Sequence, residues 1–249
     1  MRGRFYFSNR MRRGKMEVSP GAYYPLFADL VGRRCVVVGG GVVAQRKVTT
    51  LLACGAAVTV ISPALTKRLA AYARRRRIRH QARRFRPADL AGAWLVLAAT
   101  DDQRTNELVS RSAARRRVFT NVVDRKPLCS FIAPAIVRRG PLTVAVSTGG
   151  ASPALAKRVR GELGQRLGGE YVPMLRLLAG LRGAAKRRLA TYRDRKRYFE
   201  ALVDGRVFAL VKAGKRRAAR RTALALLERH APSPKPLVRG RAAMNGTGR

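Results

Sequence analysis

Three small residues, Gly39, Gly41 and Ala44, stand in the spacing G-x-G-x-x-A. The first permits a tight turn, the second lets backbone approach a pyrophosphate, and the third lets a helix pack closely on a strand; together they form a dinucleotide-binding fingerprint. The spacing alone says little. Here it follows the apolar run Arg34-Cys35-Val36-Val37-Val38 and opens a helical pattern over 42–52. The first N–H groups of that helix, and its positive dipole end, would face the phosphates. The fingerprint's acidic partner for the ribose hydroxyls, about 20 residues further on, is missing. Ser62 stands there, before Pro63. A serine hydroxyl can still bond a ribose, but it leaves NAD against NADP open on chemical grounds.

A second chemical candidate is Asp124, directly after the apolar run 118–123. In an open parallel sheet the carboxyl ends of the strands face the ligand, and a carboxylate there can act as a base. It can equally pair with Arg125 or Lys126, since structural ion pairs are common. Asp101 and Asp102, also at a strand end, read more simply as helix N-terminal residues. The two histidines, His80 and His230, and the three cysteines, Cys35, Cys54 and Cys129, form no set with metal-ligand spacing and no CxxC pair. Neither a resident metal nor a disulfide framework is expected, and a reducing cytoplasm fits best.

The elements that must position these residues alternate. Strands are predicted at 34–38, 57–61, 94–99 and 118–123, with helical patterns over 42–52, 66–77 and 106–114 between them. That order implies a parallel, doubly wound α/β sheet. Past Pro127 the texture changes: 130–132 and 142–146 read as short strands with no helix between, and Pro153 opens a helical pattern that runs to 167 and resumes over 171–202. The basic start, 1–22, and the Pro, Gly and Arg-rich end, 230–249, read as disordered extensions, with Met11 or Met16 as alternative starts. The Phe5-Tyr6-Phe7 run is too short for a secretory signal, and no stretch approaches the roughly 18 apolar residues of a membrane span, so no membrane partner is expected.

The charge is extreme: 54 Lys and Arg against 13 Asp and Glu give +41. Basic runs are spread through 74–77, 115–117, 186–188 and 215–217 alike. An overall arginine bias explains that spread first, steering of a polyanionic small substrate second, and nucleic-acid binding third.

Taken together, YYPLFADLVGRRCVVVGGGVVAQRK, LAATDD, NVVDRKPLCSFIAPAIV and PLTVAVSTGGASPALAKRVR, in this order over 23–202, resemble the precorrin-2 dehydrogenase and sirohydrochlorin ferrochelatase family, which comprises the N-terminal module of siroheme synthase and its stand-alone relatives. The resemblance implies a Rossmann-type domain over 23–134, a dimerisation region over 135–163 and a helical C-terminal domain over 164–229, assembled as a homodimer. It implies NAD over Gly39, Gly41, Val42 and Val43 and against Ser62, Pro63 and Ala64, with Thr100 of LAATDD also at the cofactor. Asp124 takes the position of the family's catalytic aspartate, and Ser147, Thr148, Gly149 and Gly150 would line a tetrapyrrole pocket. The implied reaction is NAD-dependent oxidation of precorrin-2 to sirohydrochlorin, in siroheme or cobalamin formation. Some relatives also insert ferrous or cobaltous ion, and the sequence leaves that open. The competing readings are an NAD-sensing regulator with nucleic-acid-binding basic tails and another NAD-dependent reductase on the same fold.

Overall fold

The computed structural model describes residues 23–231 and a short antiparallel ribbon, Met11–Arg12 against Lys15–Met16. The extensions expected over 1–22 and 230–249 otherwise lie outside the described residues. His230 itself ends the last helix.

The described chain falls into two compact units. The first comprises everything up to Ala135 together with Val146–Lys157. Its sheet has five parallel strands: β1 (Arg34–Val38), β2 (Ala57–Ile61), β3 (Arg79–Gln81), β4 (Leu95–Ala98) and β5 (Phe119–Val122), in the order β3-β2-β1-β4-β5. The central runs RCVVV, AVTVI and LVLA are apolar on both faces, as strands covered on both sides must be. Successive side chains alternate between faces. Cys35 and Val37 join the Ala44, Val48 and Leu51 stripe of α1 (Val42–Ala53) in one core. Val36 and Val38 join Val109 and Ala113 of α3 (Gln103–Arg116) in the other. The sheet is therefore doubly wound, as the alternation of patterns predicts.

Register places Val38 level with Ile61 and Ala98, and Ala98 level with Val122. The loops after β1, β2, β4 and β5 consequently emerge at one edge. The strand order reverses beside β1, which opens a crevice there.

Three local readings are corrected. β3, a three-residue edge strand rich in polar groups, carries no apolar signal and was not predicted. The expected strand at 130–132 is absent. That segment lies along β5 through side chains as much as backbone: Ser130 N–H donates to the Thr120 carbonyl (2.8 Å), while Thr120 N–H donates to Ser130 Oγ (2.7 Å). Helix α2 (Lys67–Arg74) is capped by Thr66 and stops before Arg76, whose φ of 54° is left-handed, so it is shorter than the predicted 66–77.

The second unit comprises Ile136–Ala145 and the chain from Arg158 onward. The stretch 135–163 is thus divided between the units. Strands β6 (Ala135–Arg139) and β7 (Leu142–Val146) pair across Gly140-Pro141. Helix α4 (Pro153–Arg166) is followed by α5 (Tyr171–Arg188), α6 (Tyr192–Asp204), α7 (Arg206–Lys212) and α8 (Arg216–His230). The helical pattern over 171–202 breaks where Leu189 turns inward and Thr191 caps α6 by accepting from Asp194 N–H (3.1 Å). Tyr198 is fully buried in this core, donates to the Ala223 carbonyl (3.0 Å), and is pushed up to about 12 by burial. Among the described residues no helix is long and apolar enough to cross a membrane.

Candidate functional site

The glycine loop after β1 is shaped by its neighbours. Gly39 has φ 115°, and a Cβ there would collide with the Ala99 carbonyl oxygen. A Cβ on Gly40 would collide with the Ala64 carbonyl oxygen and lie 2.7 Å from Ser62 Oγ. Gly41 is different: a Cβ there meets nothing within 4 Å, so its bareness serves open space in front of the helix. Gly41 is the N-cap of α1, supplies no capping side chain, and the first turn holds no acid. The leading N–H groups of α1 are left for an external acceptor, as a pyrophosphate would require. Val42, 65% exposed at the first position, and the half-buried Val43 flank that space.

The turn after β2 supports this loop. Ser62 is buried, and its hydroxyl donates to the Ala64 carbonyl (2.7 Å). Its one proton is committed, so toward a ribose it can only accept. Pro63 and Ala64 are exposed beside it. Thr66 N–H donates to the Gly40 carbonyl (2.9 Å), and Thr66 Oγ1 donates to Gln45 Oε1 (2.8 Å), tying α1 to α2. Gly40, Gln45 and Thr66 were not singled out from sequence; only the place of Gly40 in the middle of the GGG run signalled the first of them.

Thr100 follows β4 beside Gly39. Its Oγ1 accepts from Asp102 N–H (2.9 Å) and its carbonyl accepts from Asn106 Nδ2 (2.9 Å). Asp102 is the N-cap of α3, accepting from the N–H groups of Arg104 and Thr105, so its helix-terminal reading holds.

Asp124 is exposed at the end of β5, with φ 58°. The left-handed conformation is held by its surroundings. Arg125 N–H closes the turn onto the Val122 carbonyl (3.3 Å), Asn121 Nδ2 donates to the Phe131 carbonyl (3.1 Å), and Cys129 Sγ accepts from Val122 N–H (3.2 Å). The expected alternative, pairing with Arg125 or Lys126, is not what these side chains do. Arg125 donates to Gln103 Oε1 (2.9 Å) and Lys126 donates to the Gly149 carbonyl (2.9 Å). Among the described residues Asp124 makes no ion pair.

The Lys126 bond joins the loop after β7 to the Asp124 turn. Gly149 and Gly150 have φ 63° and 83°. Ser147 Oγ accepts from Gly149 N–H (3.1 Å), and Thr148 Oγ1 accepts from Ser152 N–H (3.1 Å). A Cβ on Gly150 would lie 3.2 Å from the Lys126 side chain. The structure thus gathers Gly39 with Thr100, Gly40 with Ser62 and Ala64, and the Asp124 turn with Gly149 and Gly150. No group of three or more His, Cys, Asp or Glu residues that could hold a metal ion occurs among the described residues.

Fold and glycine loop together define a dinucleotide-binding α/β protein. Three family models match in succession: putative NAD(P)-binding over 26–135, sirohaem biosynthesis protein central over 139–166, and sirohaem synthase dimerisation region over 170–227. Matched one after another over 26–227, these models show a chain built of a putative NAD(P)-binding segment followed by the central and dimerisation segments of sirohaem-synthesis proteins. It is 45% identical to the siroheme synthase of Methylobacillus flagellatus over 196 residues, 79% of this chain and 42% of that protein. It is 43% identical to that of Thioalkalivibrio sulfidiphilus over 206 residues, 83% of this chain and again 42% of the relative. The chain therefore spans less than half the length of these relatives. Among solved structures, SirC, precorrin-2 dehydrogenase, matches with a TM-score of 0.69 and 25% identity, covering 83% of this chain and 100% of that one.

Proposed function

We propose that this chain oxidises precorrin-2 to sirohydrochlorin with NAD as hydride acceptor. The observation that carries the reading is Asp124: an exposed carboxylate, fixed in a left-handed turn, with its basic neighbours engaged elsewhere, at the same sheet edge as the dinucleotide loop. Gly39, Gly41, Val42 and Val43, with Ser62, Pro63, Ala64 and Thr100, would hold NAD. When bound, NAD supplies a site for the hydride that leaves the substrate. The loss of that hydride and of one proton balances the oxidation, and Asp124 takes the proton. Ser147, Thr148, Gly149 and Gly150 would border the macrocycle. The substrate bears carboxylates around its rim, which the positive chain would attract.

The reading includes a homodimer, supported by a match to a dimerisation region that falls on 170–227, within the expected helical domain 164–229 and beyond the expected dimerisation stretch 135–163, with 23–134 as the nucleotide domain. Light scattering at the working concentration tests the dimer. Asp124→Asn should lower turnover of precorrin-2 by about 10²–10⁴-fold with NAD affinity kept; full turnover would remove Asp124 as the base. Adding ferrous or cobaltous ion after the oxidation separates dehydrogenation alone from dehydrogenation followed by insertion, in which Asp124 would take the displaced pyrrole protons.

A further inference from the structure

The VVAQRK stretch contributes more than phosphate contacts. Lys47 lies one helical turn beyond Val43, and residues four apart share a helix face. It flanks the buried stripe of Ala44, Val48 and Leu51 and is itself half-buried. Phe131, from the segment that follows Asp124, packs against the same cluster. The segment that follows Asp124 therefore reaches the same core that α1 covers.

Among the described residues the Lys47 ammonium makes no hydrogen bond or ion pair, and neither does the Asp124 carboxylate. Neighbouring Thr49 and Thr50 spend their hydroxyls on the carbonyls of Gln45 and Arg46 within the helix. Burial drives the Lys47 pKa down, Arg46 adds to that, and the nearby Asp124 and Cys129 oppose both. The strands under α1 face it with uncharged side chains such as Val37, Val58 and Val60. A half-buried cation without a counter-ion is costly, and an anionic ligand group relieves that cost.

We propose that Lys47 anchors a rim carboxylate of the tetrapyrrole and so sets which part of the ring lies over Asp124. The inference rests on the reading of the substrate as a polycarboxylate macrocycle. Lys47 binds substrate at one side of the transferring proton while Asp124 receives it at the other. The crevice then offers a fixed positive point beside the base, which gives the ring one orientation where a diffuse positive surface would allow several.

The test titrates sirohydrochlorin into the full chain with NAD present, for wild type, Lys47→Met and Lys47→Arg, following absorbance. Lys47→Met should weaken sirohydrochlorin binding by about tenfold or more, the scale of a lost charge-assisted contact, and Lys47→Arg should restore most of it. The KM for precorrin-2 should rise in Lys47→Met by a similar factor while kcat changes much less. NAD affinity should stay constant across the three, which shows that α1 is intact. Equal sirohydrochlorin binding by wild type and Lys47→Met overturns the anchor and leaves the proposed reaction standing. Failure of the wild type to bind sirohydrochlorin overturns the substrate reading and the anchor with it.

Discussion

Adjacent glycines in the fingerprint loop should respond to the same substitution in opposite ways. At Gly40 an added methyl collides with the Ala64 carbonyl oxygen and stands 2.7 Å from Ser62 Oγ and 3.0 Å from the Ala64 carbonyl carbon. These atoms cannot yield cheaply. The Ser62 hydroxyl is held by Ala64 and the Gly40 carbonyl is bonded to Thr66 N–H at 2.9 Å, so relief requires the loop and the 62–66 turn to part. Overpacking of this kind costs about 1–3 kcal/mol, which in a chain of this size lowers Tm by roughly 2–4 °C per kcal/mol. At Gly41 the methyl meets no protein atom within 4 Å and φ is −79°, an ordinary value. Gly41→Ala should therefore cost less than about 1 kcal/mol, the scale of an uncapped helix start, while filling the space through which backbone approaches a pyrophosphate. Thermal melts and NAD titrations on both variants test the argument. Gly40→Ala should melt lower than Gly41→Ala, and Gly41→Ala should bind NAD more weakly than wild type despite near-normal stability. An unchanged Tm for Gly40→Ala, or wild-type NAD affinity in Gly41→Ala, would refute it.

At Asp124, Asn tolerates the left-handed backbone whereas Ala does not, so Asp124→Ala should melt below Asp124→Asn by about 1 kcal/mol while both lose turnover; equal melting would remove the backbone argument. Burial first, and then nearby Cys54, pushes the Cys35 thiol up to about 11, and Cys35 is fully buried where Cys54 is half-buried, so alkylation at pH 8 should modify Cys35 far more slowly than Cys54, read by peptide mass. Comparable rates would mean that Cys35 is not buried. Burial pushes the Asp89 carboxyl up, but the Arg83 guanidinium (2.6 Å) and the Arg86 N–H (2.8 Å) outweigh it and hold the group below its usual range. Its folded pKa is depressed, so its stabilisation is present above the unfolded carboxylate pKa and is lost as pH falls through and below about 4. Asp89→Asn should cost about 1–3 kcal/mol at pH 7 and flatten the acid limb of urea midpoints; an unchanged limb would contradict the assignment.

The sheet was legible because its central strands are short unbroken runs such as Val36-Val37-Val38, which only burial on both faces explains. Edge strand β3 was not, since Arg79, His80 and Gln81 pair through backbone alone and carry no apolar pattern. The break at Leu189 escaped because apolar spacing continues across it; the signal was Thr191 with Asp194 three residues on, a cap rather than a period. At the candidate site the fingerprint glycines and Asp124 were readable from type and position. The engagement of Arg125 with Gln103 and of Lys126 with Gly149 was not, because sequence proximity favoured Asp124 as their partner. Lys47 was hidden for a different reason: among 54 basic residues, one lysine that is half-buried on the flank of α1 becomes visible only in the fold.

The central claim is a coupled oxidation, and an anaerobic assay of the purified chain with freshly generated precorrin-2 and NAD tests it most directly. The account predicts that sirohydrochlorin and reduced cofactor rise together in equal amounts in wild type, and that both fall in Asp124→Asn while NAD remains bound. Binding of NAD with no formation of sirohydrochlorin would contradict it.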